Sequence, residues 1–121
     1  MRLPIILAFI VAIEHLAFLV IEIFFWKTPF AQKMFGISAS LAEESAFMAA
    51  NQGLYNGFIA AGIIWSALTH KKEVTQYFLI CVIIAGIFGA FTVKPTVFFA
   101  QSVPALLAFI TSIKSSKRVI Q

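Results

Sequence analysis

The chain contains no aspartate and a single cysteine, and only 12% of its 121 residues are charged. The lack of aspartate, joined to the lack of a G-x-S-x-G turn, argues against serine-type hydrolysis. One cysteine, Cys81, excludes an internal disulfide and leaves no thiolate cluster for zinc. With no H-x-x-x-H pair either, a metal would have only Glu14, His15 and Glu22 as ligands, so no metal is expected. A lone His15 is too little to imply haem, and no other cofactor is indicated. The phosphate loop, the Rossmann glycine fingerprint and nucleic-acid motifs are missing too, and no nucleic-acid partner is expected. Repeats, low-complexity tracts and linkers are also absent.

What is present is hydrocarbon. The chain is 61% hydrophobic, with a mean hydropathy of +0.97, well outside the range of soluble domains. Four apolar stretches, about 3–26, 41–69, 74–93 and 96–113, each approach or exceed the ~20 residues a helix needs to cross a bilayer. They lack the alternation of barrel strands, and lipid forbids unpaired backbone groups, so helices are the physical solution. The expected fold is all-α: one integral membrane domain over residues 1–121, a four-helix transmembrane bundle. The first stretch carries Glu14 and His15 and has no small-x-small cleavage site, so it reads as a retained helix rather than a secretory signal.

Charge supports a multi-pass arrangement in the cell membrane. Arg2, Lys71, Lys72, Lys114, Lys117 and Arg118 fall on one side of the four spans and Lys27, Lys33 and Lys94 on the other. The positive-inside rule then places both termini in the cytoplasm. Residues 27–45 mix lysines with Phe30, Met34, Phe35 and Ile37, which suits a segment lying on the outer membrane surface. Ser40 and Glu43 form an S-x-x-E capping box that would start the second span near Leu41. The short V-K-P-T connection at 93–96 would force the last two helices into an antiparallel hairpin.

Against this apolar background the run A-I-E-H-L-A-F-L-V-I-E, residues 12–22, is conspicuous. His15 and Glu22 lie within ~20° of one helical face, which Trp26 extends. The second span carries N-Q-G-L-Y-N-G, pairing Asn51 with Tyr55 and Gln52 with Asn56 at i,i+4. If the midpoints of the two antiparallel helices are matched near residues 15 and 56, Glu14 and His15 meet Tyr55 and Asn56. Glu22 then lies level with the chain just before Asn51 and Gln52, and Gln101 joins from the fourth helix. Gly53 and Gly57, with Ala60 and Ala61, form a small-residue surface for close helix contact, and Gly86 and Gly89 do the same on the third helix. Pro104 would free the carbonyl of Ala100, beside Gln101.

An acidic side chain at the centre of a span costs ~2.5–3.5 kcal/mol on insertion scales, whereas an average interhelical hydrogen bond returns ~0.6 kcal/mol. Amides alone would suffice as glue. The expected site is therefore a buried polar pocket of Glu14, His15, Glu22, Asn51, Gln52, Tyr55, Asn56 and Gln101. It would bind a small amphiphilic or lipid-like molecule, with His15 and Glu22 as the proton-exchanging groups. An alternative is isomerase-like proton-transfer catalysis on such a molecule, with no residue assigned a catalytic role. A second alternative is a structural subunit of a membrane assembly. Membrane lipids are the expected surroundings, and glycines on two helices are compatible with a homo-oligomer.

The blocks E-H at 14–15, Glu22 with F-W at 25–26, T-P at 28–29, F-G at 35–36 and A-N-Q-G-L-Y-N-G-F-I-A-A-G at 50–62 carry a family likeness. They resemble the signature of small bacterial and fungal membrane proteins grouped as domain-of-unknown-function family 1304. The resemblance spans nearly the whole chain. It implies a four-helix integral membrane protein of about this length and brings no activity to any residue. A looser likeness to four-helix membrane isomerases is one of fold alone.

Overall fold

A computed structural model describes residues 2–117; Arg118, one of the basic residues used above for topology, lies outside them. The described residues are helical almost throughout, with no strand among them. Helix α1, Leu3–Phe24, is apolar apart from Glu14, His15 and Glu22, and its one proline, Pro4, sits in the first turn, where its missing N–H is not needed. After the turn at residues 25–28 comes a short helix that the apolar pattern does not announce, α2 at Pro29–Phe35. Its signals are local. The Thr28 hydroxyl accepts from the Ala31 amide at 3.3 Å, Pro29 starts the helix, and Gly36 ends it at a φ of 66°, a left-handed conformation that glycine adopts without strain.

Helix α3 runs over Ala39–Leu68, 30 residues, or ~45 Å. Its cap is Ser38, whose hydroxyl accepts from the Leu41 amide at 3.1 Å. The expected capping box of Ser40 and Glu43 does not form: Ser40 is already inside the helix, and Glu43 pairs with Lys27 instead. A turn through His70, at a φ of 57°, leads to α4, Lys72–Thr92. The last stretch is not one regular α-helix. A π-helical turn at Phe98–Ser102 precedes α5, Val103–Lys117, and the Val103 amide reaches back to the Phe98 carbonyl. This wide turn sets Pro104 in the first turn of α5, where its lack of an N–H is tolerated.

The chain forms two compact units, one made of the chain up to Ala12 together with the chain from Ala61 onward, the other of Ile13–Ala60. In the first, α4 and the final helical stretch are antiparallel: Gly89 faces Val97, Gly86 faces Ser102, and Gln76 bonds Ser112 at 2.9 Å. Ile63, Leu79, Val11 and Val82 fill its interior. Its buried hydroxyls find partners close by, Ser102 donating to the Ile83 carbonyl at 2.8 Å and Ser66 meeting Thr75 at 2.8 Å. In the second unit the buried positions are Ala31, Ala42, Ala49, Gly53, Ala60, His15 and Glu22, with no large apolar side chain among them.

Large apolar side chains lie instead on the outside, among them Phe24 at 71% and Phe91 at 89% exposure. A soluble chain would aggregate through such surfaces, whereas acyl chains match them. Leu3–Phe24, Lys72–Thr92 and Phe98–Ser115 are each long and apolar enough to cross a bilayer. By length and composition these three stretches are consistent with a membrane protein.

Candidate functional site

Within the unit of Ile13–Ala60, α1 and α3 run antiparallel, and glycines set their register. A Cβ on Gly53 would stand 2.9 Å from Ile23 Cγ1 and 3.2 Å from the Leu19 carbonyl oxygen, and one on Gly57 would stand 2.5 Å from Leu19 Cδ1. The α3 backbone therefore lies directly against residues 19–23 of α1, close packing of the kind small residues permit in membranes. That contact brings Asn56 beside Glu22, and its Nδ2 donates to Glu22 Oε2 at 2.8 Å. Glu22 is 5% exposed.

Above this pair sits an aromatic layer. Trp26, one turn beyond Glu22, donates from Nε1 to Ser45 Oγ at 3.0 Å, and Ser45 in turn donates to the Leu41 carbonyl at 2.6 Å. The Trp26 ring packs on Phe35 of α2 with centroids 4.9 Å apart. At the surface, Lys27 Nζ and Glu43 Oε1 form an exposed ion pair at 3.2 Å. From inside to outside, the end of α1 thus presents a carboxylate with an amide, then an indole with a hydroxyl, then an ion pair. Trp26 was legible as an extension of the polar face, but its partner Ser45 was not, because nothing in the spacing distinguishes Ser45 from an ordinary helical serine.

The expected register is corrected. Matching apolar midpoints set Asn56 against Glu14 and His15, whereas Asn56 bonds Glu22, about two turns further along α1. Steric fit at Gly53 and Gly57 decides this, not the centring of two hydrophobic runs. His15 is buried at 3% exposure, with its ring edge-on to Phe18 at 5.9 Å, and lies two turns, about 10 Å, from Glu22 along the same helix. Glu14 is half-buried.

The amide-rich segment does not converge as a whole. Asn51, Gln52 and Tyr55 are exposed, and Tyr55 packs edge-on against Phe58 at 5.7 Å. The reason is angular: Asn51 and Asn56 stand ~140° apart around the helix, so one face cannot present both to α1. Asn56 shares the side of Gly53 and Gly57, Asn51 and Tyr55 fall on other faces, and Gln52, although only ~40° from Asn56, is exposed at the flank of that side. Gln101 belongs to the other unit, where it is half-buried beside Gly86. Among the described residues no group of three or more His, Cys, Asp or Glu side chains is placed to hold a metal ion.

Comparison with known proteins adds a family. The model of a family described as "Protein of unknown function (DUF1304)" matches residues 9–113. The chain is also 29% identical, over 91% of its length and 96% of the relative's, to the uncharacterized protein YpaA of Lactococcus lactis subsp. lactis (strain IL1403). No solved structure matches.

Proposed function

We propose that this chain, which belongs to the DUF1304 family, is a four-span integral membrane protein that holds the polar head of a small amphiphilic or lipid-like molecule at Glu22 and Asn56. In this reading the whole chain is one transmembrane domain, α3 is the fourth span, and both ends are cytoplasmic by the positive-inside rule. Glu22 carries the proposal: a 5%-exposed carboxylate on a predominantly apolar helix, with an amide donor at 2.8 Å. Its insertion cost of a few kcal/mol exceeds what one interhelical bond returns, so a purely structural role leaves it unexplained. The Trp26 layer beyond it is amphipathic, apolar in its ring and hydrogen-bonded at Nε1, which suits the level where headgroup meets acyl chain. Glu14 and His15, on the same helix as Glu22, remain outlying candidates for contacts with the same molecule.

Burial of His15 on the face that carries Glu22 favours a second reading, in which these two groups exchange protons with the bound molecule. Mass spectrometry of lipids and metabolites that co-purify with the wild type, with Glu22→Gln and with Asn56→Leu tests the binding role. A species present with the wild type and depleted from both variants is the expected result. Identical extracts from all three would end it. Incubating that species with reconstituted protein then separates holding from turnover.

A further inference from the structure

The face of α3 turned away from α1 has an order of its own. Phe47, Asn51, Leu54 and Phe58 follow one another at spacings of four, three and four, and all four are exposed, Phe47 at 74%, Leu54 at 46% and Phe58 at 56%. In sequence the same spacing continues through Ala61, Trp65 and Leu68. A repeat of 3.5 residues is the pattern of a helix that meets another helix along a seam, with alternate knobs entering the partner's holes. It is also a seam with one polar member. The Asn51 side chain makes no hydrogen bond among the described residues, and its amide carries both donors and acceptors. Acyl chains can satisfy neither.

We propose that α3 pairs with α3 of a second copy of this chain along Phe47, Asn51, Leu54 and Phe58, with the two Asn51 amides bonded to each other across a two-fold axis. Identity of the partner follows from complementarity. An amide is its own complement, donor to acceptor in both directions, and two copies inserted with the same topology bring equivalent residues of α3 together at the same depth. A single asparagine within an apolar seam is the device that sets register and pairing number in helix dimers, and in lipid an amide pair also adds to association. Gly53 and Gly57 are not available for this contact, because both are already packed against α1. The inference rests on α3 crossing the membrane, and on nothing about the ligand.

Cysteine crosslinking in native membranes tests it, in a Cys81→Ser background so that the introduced thiol stands alone. Asn51→Cys, Leu54→Cys and Phe58→Cys should yield disulfide-linked dimers, while Phe91→Cys, exposed on α4, should not. In lipid nanodiscs the wild type should be dimeric, and Asn51→Leu should raise the dissociation constant about threefold to twentyfold, the range for interhelical polar pairs. Since Asn51 is exposed and helical, leucine there should leave helix content unchanged, which circular dichroism checks. A monomeric wild type, or crosslinking without the four-three-four periodicity, would overturn the pairing and leave the binding site of Glu22 untouched. Rapid labelling of Asn51→Cys by a membrane-impermeant maleimide would place that face in water and overturn the pairing together with the four-span reading.

Discussion

The two units of the chain bury polar groups in opposite ways. In the unit containing α4 and α5 the buried polar side chains are short and settled close at hand: Ser102 on the Ile83 carbonyl, Ser66 on Thr75, Ser112 on Gln76. Around them stand Ile63, Leu79, Val11 and Val82. In the unit of Ile13–Ala60 the interior consists of alanine and glycine around a histidine and a glutamate. Hydroxyls bonded to carbonyls cost a membrane helix little, since each neutral group is satisfied locally. A carboxylate costs several times what its one bond to Asn56 returns. The first arrangement is complete as packing, whereas packing alone does not offset the cost of the acid in the second.

That contrast can be broken or sharpened by substitution. The largest effect belongs to the first unit: a Cβ on Gly86 would overlap Ser102 Oγ and stand 2.8 Å from the Ser102 amide nitrogen, which is backbone and cannot yield. Gly86→Leu should therefore cost about 3 kcal/mol or more, measured as stability to SDS unfolding in mixed micelles. A neutral result would mean that α4 and the π-helical turn are not packed as described.

Next comes Asn56→Leu, which removes the amide from a buried carboxylate and should cost about 1–3 kcal/mol, while Glu22→Gln keeps an oxygen for Asn56 and should cost less than ~1 kcal/mol. If the two substitutions proved equally harmless, Glu22 would not be the strained member of its unit. Smaller again is Ser38→Ala, which deprives the first turn of α3 of its cap and should cost about 1 kcal/mol, whereas Ser40→Ala should be close to silent. Smallest is Glu43→Gln. Its partner Lys27 and its own side chain are 56% and 70% exposed, so the loss should stay under ~1 kcal/mol and vanish at high salt.

Much of this molecule is written in composition and in short-range spacing. Runs of apolar residues with so little charge leave only helices in lipid, and three of the four expected stretches appear as helices long and apolar enough to cross a bilayer, while the longest helix, α3, is not among them. The likeness of E-H, E-x-x-F-W and N-Q-G-L-Y-N-G to one family is likewise a property of the string, and the family match follows it. Local punctuation was partly legible: proline after threonine and a glycine seven residues on delimit α2, yet seven residues are too few to register as hydrophobic periodicity. Ser38 and Ser40 both had the chemistry of a cap, and only the path of the chain chose between them.

What tertiary structure alone decided is which polar residues meet. Sequence spacing can say that Asn56 and Asn51 occupy different faces of α3, but not which face turns to α1. That depended on Gly53 and Gly57 letting one backbone lie on another, an effect of shape at a few ångströms that no hydrophobic profile contains. Two antiparallel apolar helices can slide past each other with little change in hydrocarbon contact, so their register is set by steric detail. With it goes the identity of the partner that Glu22 finds.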